Sequence, residues 1–388
     1  MSDSPEAHTR SEQIDTQLAQ AGWLVGKADM VEELRLTDAG LAVEETPGKY
    51  RAGDEFADYA LLGPDGKPLA IVEAKRSSRD ALAGQRQAAD YADRIEKTSG
   101  AAPFIFLANG REIWFWERGR SPLRQVSGFF PRDDLERLAF QRKYRLPLAQ
   151  VAHNAAIINR PYQLEAVRSV TEQMTAAQRK FLMVMATGTG KTRTTIALVD
   201  VLMRARWAQR VLFLADRREL VQQALGEFKE YMPDETRARV EQGEVDETAR
   251  IHVATYPSMM QVFDTLSPAY YDLVIADESH RSIYNRYRAI FEHFDALQLG
   301  LTATPTDYID HNTFQLFQCP DGLPTFHYGY DTAVNEGYLV NYKVTKGTKV
   351  HKENQRSFFV LLVLFVVKAL KPVEKERQSF VDVDAIRD

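Results

Sequence analysis

Between an apolar run, Phe181-Leu182-Met183-Val184, and a helical pattern from Arg193 to Met203 lies Met185-Ala186-Thr187-Gly188-Thr189-Gly190-Lys191-Thr192. Strand, glycine-rich turn and helix in that order leave few folds open, because together they form a phosphate-binding turn of an α/β sheet. Gly188 and Gly190 let backbone N–H groups turn toward an anion, and the following helix adds the positive end of its dipole. Thr189 completes the turn between them. Lys191 is placed to reach the β- and γ-phosphates of a nucleotide, and Thr192 offers a hydroxyl to Mg²⁺.

The downstream text fits such a sheet. Val211–Ala215, Ile251–Thr255, Leu273–Ala276 and Leu299–Thr302 are apolar runs separated by helical stretches. Runs too continuous for one-sided exposure indicate a parallel sheet covered on both faces. Polar residues gather at the strand ends, where an open α/β sheet places its ligands. Asp277-Glu278 follows the third run directly. An aspartate there holds Mg²⁺, and the neighbouring glutamate polarises the water that attacks the γ-phosphate. Thr302-Ala303-Thr304-Pro305 ends the fourth run, and Thr302 and Thr304 are expected to sense the nucleotide state and couple it to a nucleic-acid track.

The amino-terminal part is of another kind. Ile14, Leu18, Ala21 and Leu24 recur at helical spacing. Ala57–Leu62 and Leu69–Lys75 read as two strands joined across Gly63-Pro64-Asp65-Gly66, a strong turn signal. Glu73 and Lys75 lie two apart on a strand and so share a face, and Asp58 can meet them across the hairpin. Two carboxylates beside a lysine suit a hard cation, with the lysine orienting a water near a phosphate. A polar helix from about Asp80 to Glu96 follows, with Gln87 and Tyr91 four apart on one face.

These residues carry a resemblance. Asp58…Glu73-Ala74-Lys75 resembles the PD-(D/E)xK nuclease signature, and Gln87-Ala88-Ala89-Asp90-Tyr91 resembles the QxxxY element of the type I restriction enzyme R subunits. The stretches Arg160-Pro161-Tyr162-Gln163, Asp216-Arg217-Arg218-Glu219-Leu220, Asp277-Glu278-Ser279-His280 and Leu301-Thr302-Ala303-Thr304-Pro305 resemble superfamily 2 motors of the DExH type, again nearest the type I R subunits. The resemblance implies Asp58 and Glu73 as Mg²⁺ ligands, Lys75 as catalytic lysine, and Gln87 and Tyr91 as DNA contacts. It implies Gln163 as the reader of adenine, and Arg217 and Thr255 along the DNA path. ATP and Mg²⁺ are the implied cofactors, and double-stranded DNA and modification (methyltransferase) and specificity subunits the implied partners. The implied activity is ATP-dependent translocation coupled to cleavage of unmodified DNA. A stand-alone nuclease-helicase of DNA repair and an idle DNA- or ATP-binding remnant are the alternatives.

The expected architecture is α/β. A PD-(D/E)xK domain over 1–117, with a mixed sheet and flanking helices, is followed by a basic linker over 118–158 and a first RecA-like domain with a parallel sheet over 159–340. The linker, with eight Arg/Lys against three acids in 118–145, would either follow a DNA backbone or be a solvated connector. The text changes character near Lys352, and Phe358–Val367 matches no motor motif. A second RecA-like domain, with its arginine finger, is therefore expected to be absent, and 341–388 is read as a truncated or frame-shifted tail with impaired ATPase as the consequence. That run of ten apolar residues is too short to span a membrane, which takes about 20. Single Cys319 allows no intramolecular disulfide, which fits a reducing cytoplasm. A net charge of −5 argues against indiscriminate coating of nucleic acid but leaves room for a local basic groove.

Overall fold

The computed structural model describes residues 13–24, 30–37, 40–42, 55–75, 81–278, 281–303, 314, 317–319 and 322–341. Thr304 and the tail beyond 341 lie outside these residues, and so does the expectation of a missing second RecA-like domain.

The first sheet is mixed and has seven strands: β1 (Met30–Thr37), β2 (Gly40–Ala42), β3 (Glu55–Leu62), β4 (Pro68–Ala74), β5 (Phe104–Ala108), β6 (Ile113–Trp116) and β7 (Arg124–Val126), in the order β2-β1-β3-β4-β5-β6-β7. Only β4 and β5 run parallel among these pairs. That crossover is made by helix α2 (Gln85–Ser99), which packs Ala88, Tyr91, Ala92 and Ile95 onto one face with Ile71, Ile105 and Leu107. The other face buries Phe104, Phe106, Phe115, Phe129 and Phe130 with Ile14, Leu18 and Trp23, the apolar stripe around α1 (Asp15–Gln20). Every β5 residue is buried, as expected of a central strand covered on both sides.

The second sheet is wholly parallel: β8 (Lys180–Met185), β9 (Val211–Ala215), β10 (Arg237–Val240), β11 (Ile251–Thr255), β12 (Leu273–Ala276), β13 (Leu297–Thr302) and β14 (Phe326–Tyr328), in the order β10-β11-β9-β12-β13-β8-β14. All four apolar runs expected as strands are strands here. Two further strands carry no such pattern. The Arg-Ala-Arg-Val of β10 forms an edge through pairing with β11, and β14 adds the opposite edge beside β8.

The expected basic linker needs correction. Its first part, β7, extends the first sheet beyond residue 117, and its middle is helix α3 (Arg132–Tyr144). Several of its arginines are spent inside the protein. Arg137, 9% exposed, donates to Asp134, to Asp272 and to the carbonyl of Ala269. Asp272 also accepts the backbone N–H groups of Gln209 and Arg210 at 2.7 and 3.0 Å. Arg124 meets Asp295 in a two-pronged pair at 2.6 and 2.7 Å, and Arg179 adds a bond at 3.0 Å. Asp272 and Asp295 stand just before β12 and β13. The charges that suggested a DNA-following connector thus fasten the first sheet to the amino ends of two central strands of the second.

Burial pushes the Asp295 carboxyl up, but Arg124 and Arg179 outweigh it and hold it at about 2. A carboxylate held below its unfolded value adds stability above about pH 4, and loses it as pH falls through 2. The difference amounts to about 2 kcal/mol. Urea unfolding across that range should therefore show Asp295→Asn destabilised at neutral pH and lacking this part of the acid dependence. Equal acid slopes in the two proteins would contradict the pairing.

Candidate functional site

At the carboxyl edge of the parallel sheet, β8 runs into the glycine turn and helix α5 (Lys191–Arg204). Gly188 and Gly190 both sit at positive φ, 86° and 84°, where a side chain would be strained. No side chain caps the start of α5, so its first turn faces the space in front of β8. Thr189 is fully buried, and its hydroxyl donates to the carbonyl of Ala186 at 2.6 Å. The Thr189 carbonyl in turn accepts from Tyr162 at 2.9 Å and from the amide of Gln163 at 3.2 Å, both on helix α4 (Pro161–Thr175). Tyr162 also stacks on Tyr328 with ring centroids 4.0 Å apart, and the Tyr328 carbonyl accepts the N–H of Ala186. The turn is therefore braced from below by α4 and from the side by β14. Sequence reading gave Tyr162 and Tyr328 no role. Gln163 is buried and bound to the turn itself.

Lys191 and Thr192 are half-buried at the head of α5. Across β13, the end of β12 delivers Asp277 and Glu278. Burial, then repulsion from Glu278, raise the Asp277 carboxyl to about 6, while Lys191 pulls the other way. Glu278 holds a φ of 54°, the left-handed region that a non-glycine residue occupies at a cost of about 1–2 kcal/mol. The N–H of Glu278 bonds to the Asp277 carboxylate at 3.1 Å, and buried Tyr256 donates to the Asp277 carbonyl at 3.0 Å, fixing this corner. Two adjacent carboxylates, with Lys191 near enough to act on Asp277, offer the oxygen ligands that a hard cation beside phosphates takes.

The remaining expected residues fall on the same edge with different fates. Arg217 follows β9, exposed, with Asp216 3.5 Å away. Thr302 ends β13 and is buried. Thr255, expected on an open DNA path, is 8% exposed. Its hydroxyl caps the short helix α7 (Tyr256–Met259) by accepting the N–H of Ser258. The residue expected along the DNA path thus also caps the turn that follows β11.

The second cluster lies on the mixed sheet. Register pairs Tyr59 with Val72, which sets Asp58 opposite Glu73 on one face. Asp58 accepts the N–H of Ala74 at 2.7 Å, holding its carboxylate at the strand end. Glu73, 2% exposed, accepts from Lys75 Nζ at 2.5 Å. On α2, Gln87 donates to the Tyr91 hydroxyl at 2.5 Å, with Gln87 exposed and Tyr91 buried. Among the described residues no group of three or more His, Cys, Asp or Glu could hold a metal by itself. Two facing carboxylates are nonetheless what Mg²⁺ takes when phosphate oxygens and water complete its shell, so the residues fit that ion.

Known proteins resemble this chain over most of its length. Residues 156–307 match the family described as type III restriction enzyme, res subunit. The chain is 31% identical to the endonuclease subunit of the type I restriction enzyme EcoKI from Escherichia coli K12, over 84% of this chain and 34% of that protein. It is 28% identical to the EcoAI endonuclease subunit of Escherichia coli, over 89% of this chain and 44% of that protein. The chain is thus similar, over most of its length, to the endonuclease subunits of two type I restriction enzymes. It spans less than half the length of each of those two relatives. A solved fragment from Vibrio vulnificus YJ016, described as the HsdR subunit of a type I restriction enzyme, shares 26% identity. It covers 87% of this chain and 62% of its own, with a TM-score of 0.39. Among the described residues no helix is long and apolar enough to cross a membrane.

The raised Asp277 makes a testable demand. A carboxyl held above its unfolded value costs stability once it ionises, so the chain without nucleotide should lose stability as pH rises from 4 through 6. The side chain is half-buried, which limits the cost to no more than about 2 kcal/mol after screening. Asp277→Asn is expected to raise the unfolding midpoint at pH 7 while weakening Mg²⁺–nucleotide binding. A lowered midpoint would show that the ionised carboxylate is not held at a cost.

Proposed function

We propose that this chain is the nuclease and motor part of a type I restriction R subunit, which moves double-stranded DNA with ATP and cleaves it with Mg²⁺. The observation that carries the reading is the pairing, in one compact unit, of two acid clusters with different phosphate chemistry. One lies at a glycine turn and the other at the end of a hairpin.

At the motor site, the backbone of residues 188–190 and the head of α5 would cradle the phosphates, and Lys191 would neutralise the β- and γ-oxygens. Thr192 and Asp277 would hold Mg²⁺, and Glu278 would take the proton of the attacking water. Gln163, bound to the turn, would tie the adenine end of the nucleotide to the shape of the loop. Thr302, with Thr304 beyond it, would couple nucleotide state to the track, and Arg217 would neutralise DNA phosphate without reading sequence.

At the nuclease site, Asp58 and Glu73 would bind Mg²⁺, which when bound polarises the scissile phosphate and its water. Lys75, held by Glu73, would orient that water, and Gln87 beside Tyr91 would meet the DNA backbone. Modification and specificity subunits would supply target recognition. None of the residues assigned to the DNA path would read a DNA base.

Two substitutions separate the sites. With supercoiled plasmid and Mg²⁺, Lys75→Ala should reduce nicking at least ~10²-fold, the usual scale for loss of one positioned catalytic group, and leave nucleotide binding intact. Lys191→Ala should abolish binding of a fluorescent ATP analogue and leave ATP-independent nicking unchanged. Nicking that survives Lys75→Ala would overturn the nuclease assignment, and nucleotide binding that survives Lys191→Ala would overturn the motor assignment.

A further inference from the structure

Gly84 ends the one-turn 3-10 helix Ala81–Gly84 and leads into α2. Its backbone, φ −89° and ψ 0°, is open to any residue, so conformation does not demand a glycine there. Space does. A Cβ on Gly84 would lie 2.5 Å from Cγ of Glu73 and 3.1 Å from Cε of Lys75. Carbon atoms in ordinary contact sit about 3.5–4.0 Å apart, so even one methyl group requires a shift of roughly 1 Å.

Neither neighbour yields easily. Glu73 is buried and bonded to Lys75, and the strand end that bears them is pinned where the Lys75 N–H meets the Ala108 carbonyl at 2.8 Å. On the helix side, Gly84, Ala88 and Tyr91 form one buried stripe at spacings of four and three. The helix cannot back away at Gly84 without moving the Gln87–Tyr91 pair with it.

We infer that Gly84 is a positioning residue for the cluster of Asp58, Glu73 and Lys75. Its missing side chain lets the helix that bears Gln87 and Tyr91 seat directly on the strand end that bears the acid and the lysine. This rests on the nuclease reading above. A displacement of about 1 Å at a reacting centre costs up to ~10²-fold in rate, which sets the scale expected for Gly84→Ala.

The test is a calorimetric titration of the full, nucleotide-free chain with Mn²⁺, comparing wild type, Asp58→Asn, Gly84→Ala and Gly226→Ala. Gly226, on helix α6 (Arg218–Tyr231), has open space where its Cβ would go and serves as the control glycine. Asp58→Asn should lose the tight Mn²⁺ component, Gly84→Ala should weaken it at least tenfold, and Gly226→Ala should match wild type. In plasmid cleavage, Gly84→Ala should raise the Mg²⁺ concentration for half-maximal rate and leave the KM for DNA in place. A general loss of folded protein would lower kcat and move neither constant. No Mn²⁺ binding that depends on Asp58 would overturn the nuclease reading and this inference with it. Binding lost in Asp58→Asn yet equal to wild type in Gly84→Ala would overturn the inference alone.

Discussion

The buried meeting of Arg137 with Asp134 and Asp272 is the contact on which the arrangement of the two sheets depends. Taking such charges out of water costs several kcal/mol each, and only dense pairing offsets it. Here the pairing is dense. Asp272 receives a guanidinium and two backbone N–H groups, and Asp134 receives Arg137, Arg210 and the hydroxyl of Ser267. A buried ionic network of this kind adds less stability than an apolar seam of the same size, but it tolerates few alternative registers. It therefore fixes how the mixed sheet meets the parallel one, with Arg124, Arg179 and Asp295 as a second fastening.

The opposite ends of the same strands show the reverse electrostatics. At the amino ends of β12 and β13, acids are surrounded by donors, and Asp295 sits well below its usual range. At the carboxyl end of β12, Asp277 sits well above it, and Glu278 occupies a left-handed backbone. Unfavourable charge and strain held in one corner are typical of a site waiting for a counter-charge. A strand with its acids satisfied at one end and exposed to each other at the other has its stability at the seam and its chemistry at the edge.

How much of this was legible in the sequence follows from what is local. The glycine turn, Lys191, Asp277-Glu278 and the hairpin acids could be read because each motif spans a few residues whose chemistry is peculiar to it. Apolar runs gave four strands for the same reason. The strand β10 could not be read, since Arg-Ala-Arg-Val has no apolar alternation and owes its state to β11. The seam was misread as a linker because Arg137 and Asp272 are 135 residues apart, and Arg124 and Asp295 171 apart. Composition shows a charge and not its partner. Thr255 reads as a contact and its capping task goes unseen, because a hydroxyl next to a turn serves its own backbone. Gly84 gave no signal, as its reason lies across the fold in Glu73.

The seam also bears on how such a chain can be taken apart or recombined. Severing it at residue 117, where composition suggests a joint, would strip β7 and α3 from the first sheet and leave them, with Arg124 and Arg137, on the piece that carries Asp272 and Asp295. The apolar contact of Ala269 with the first core would open as well. A cleavage module grafted at that joint would have to offer β7 and α3 the same edge strand and the same apolar face that β6 and the first core offer them here. The two chemistries sit on separate sheets, yet a working joint between those sheets lies past α3 and not at residue 117.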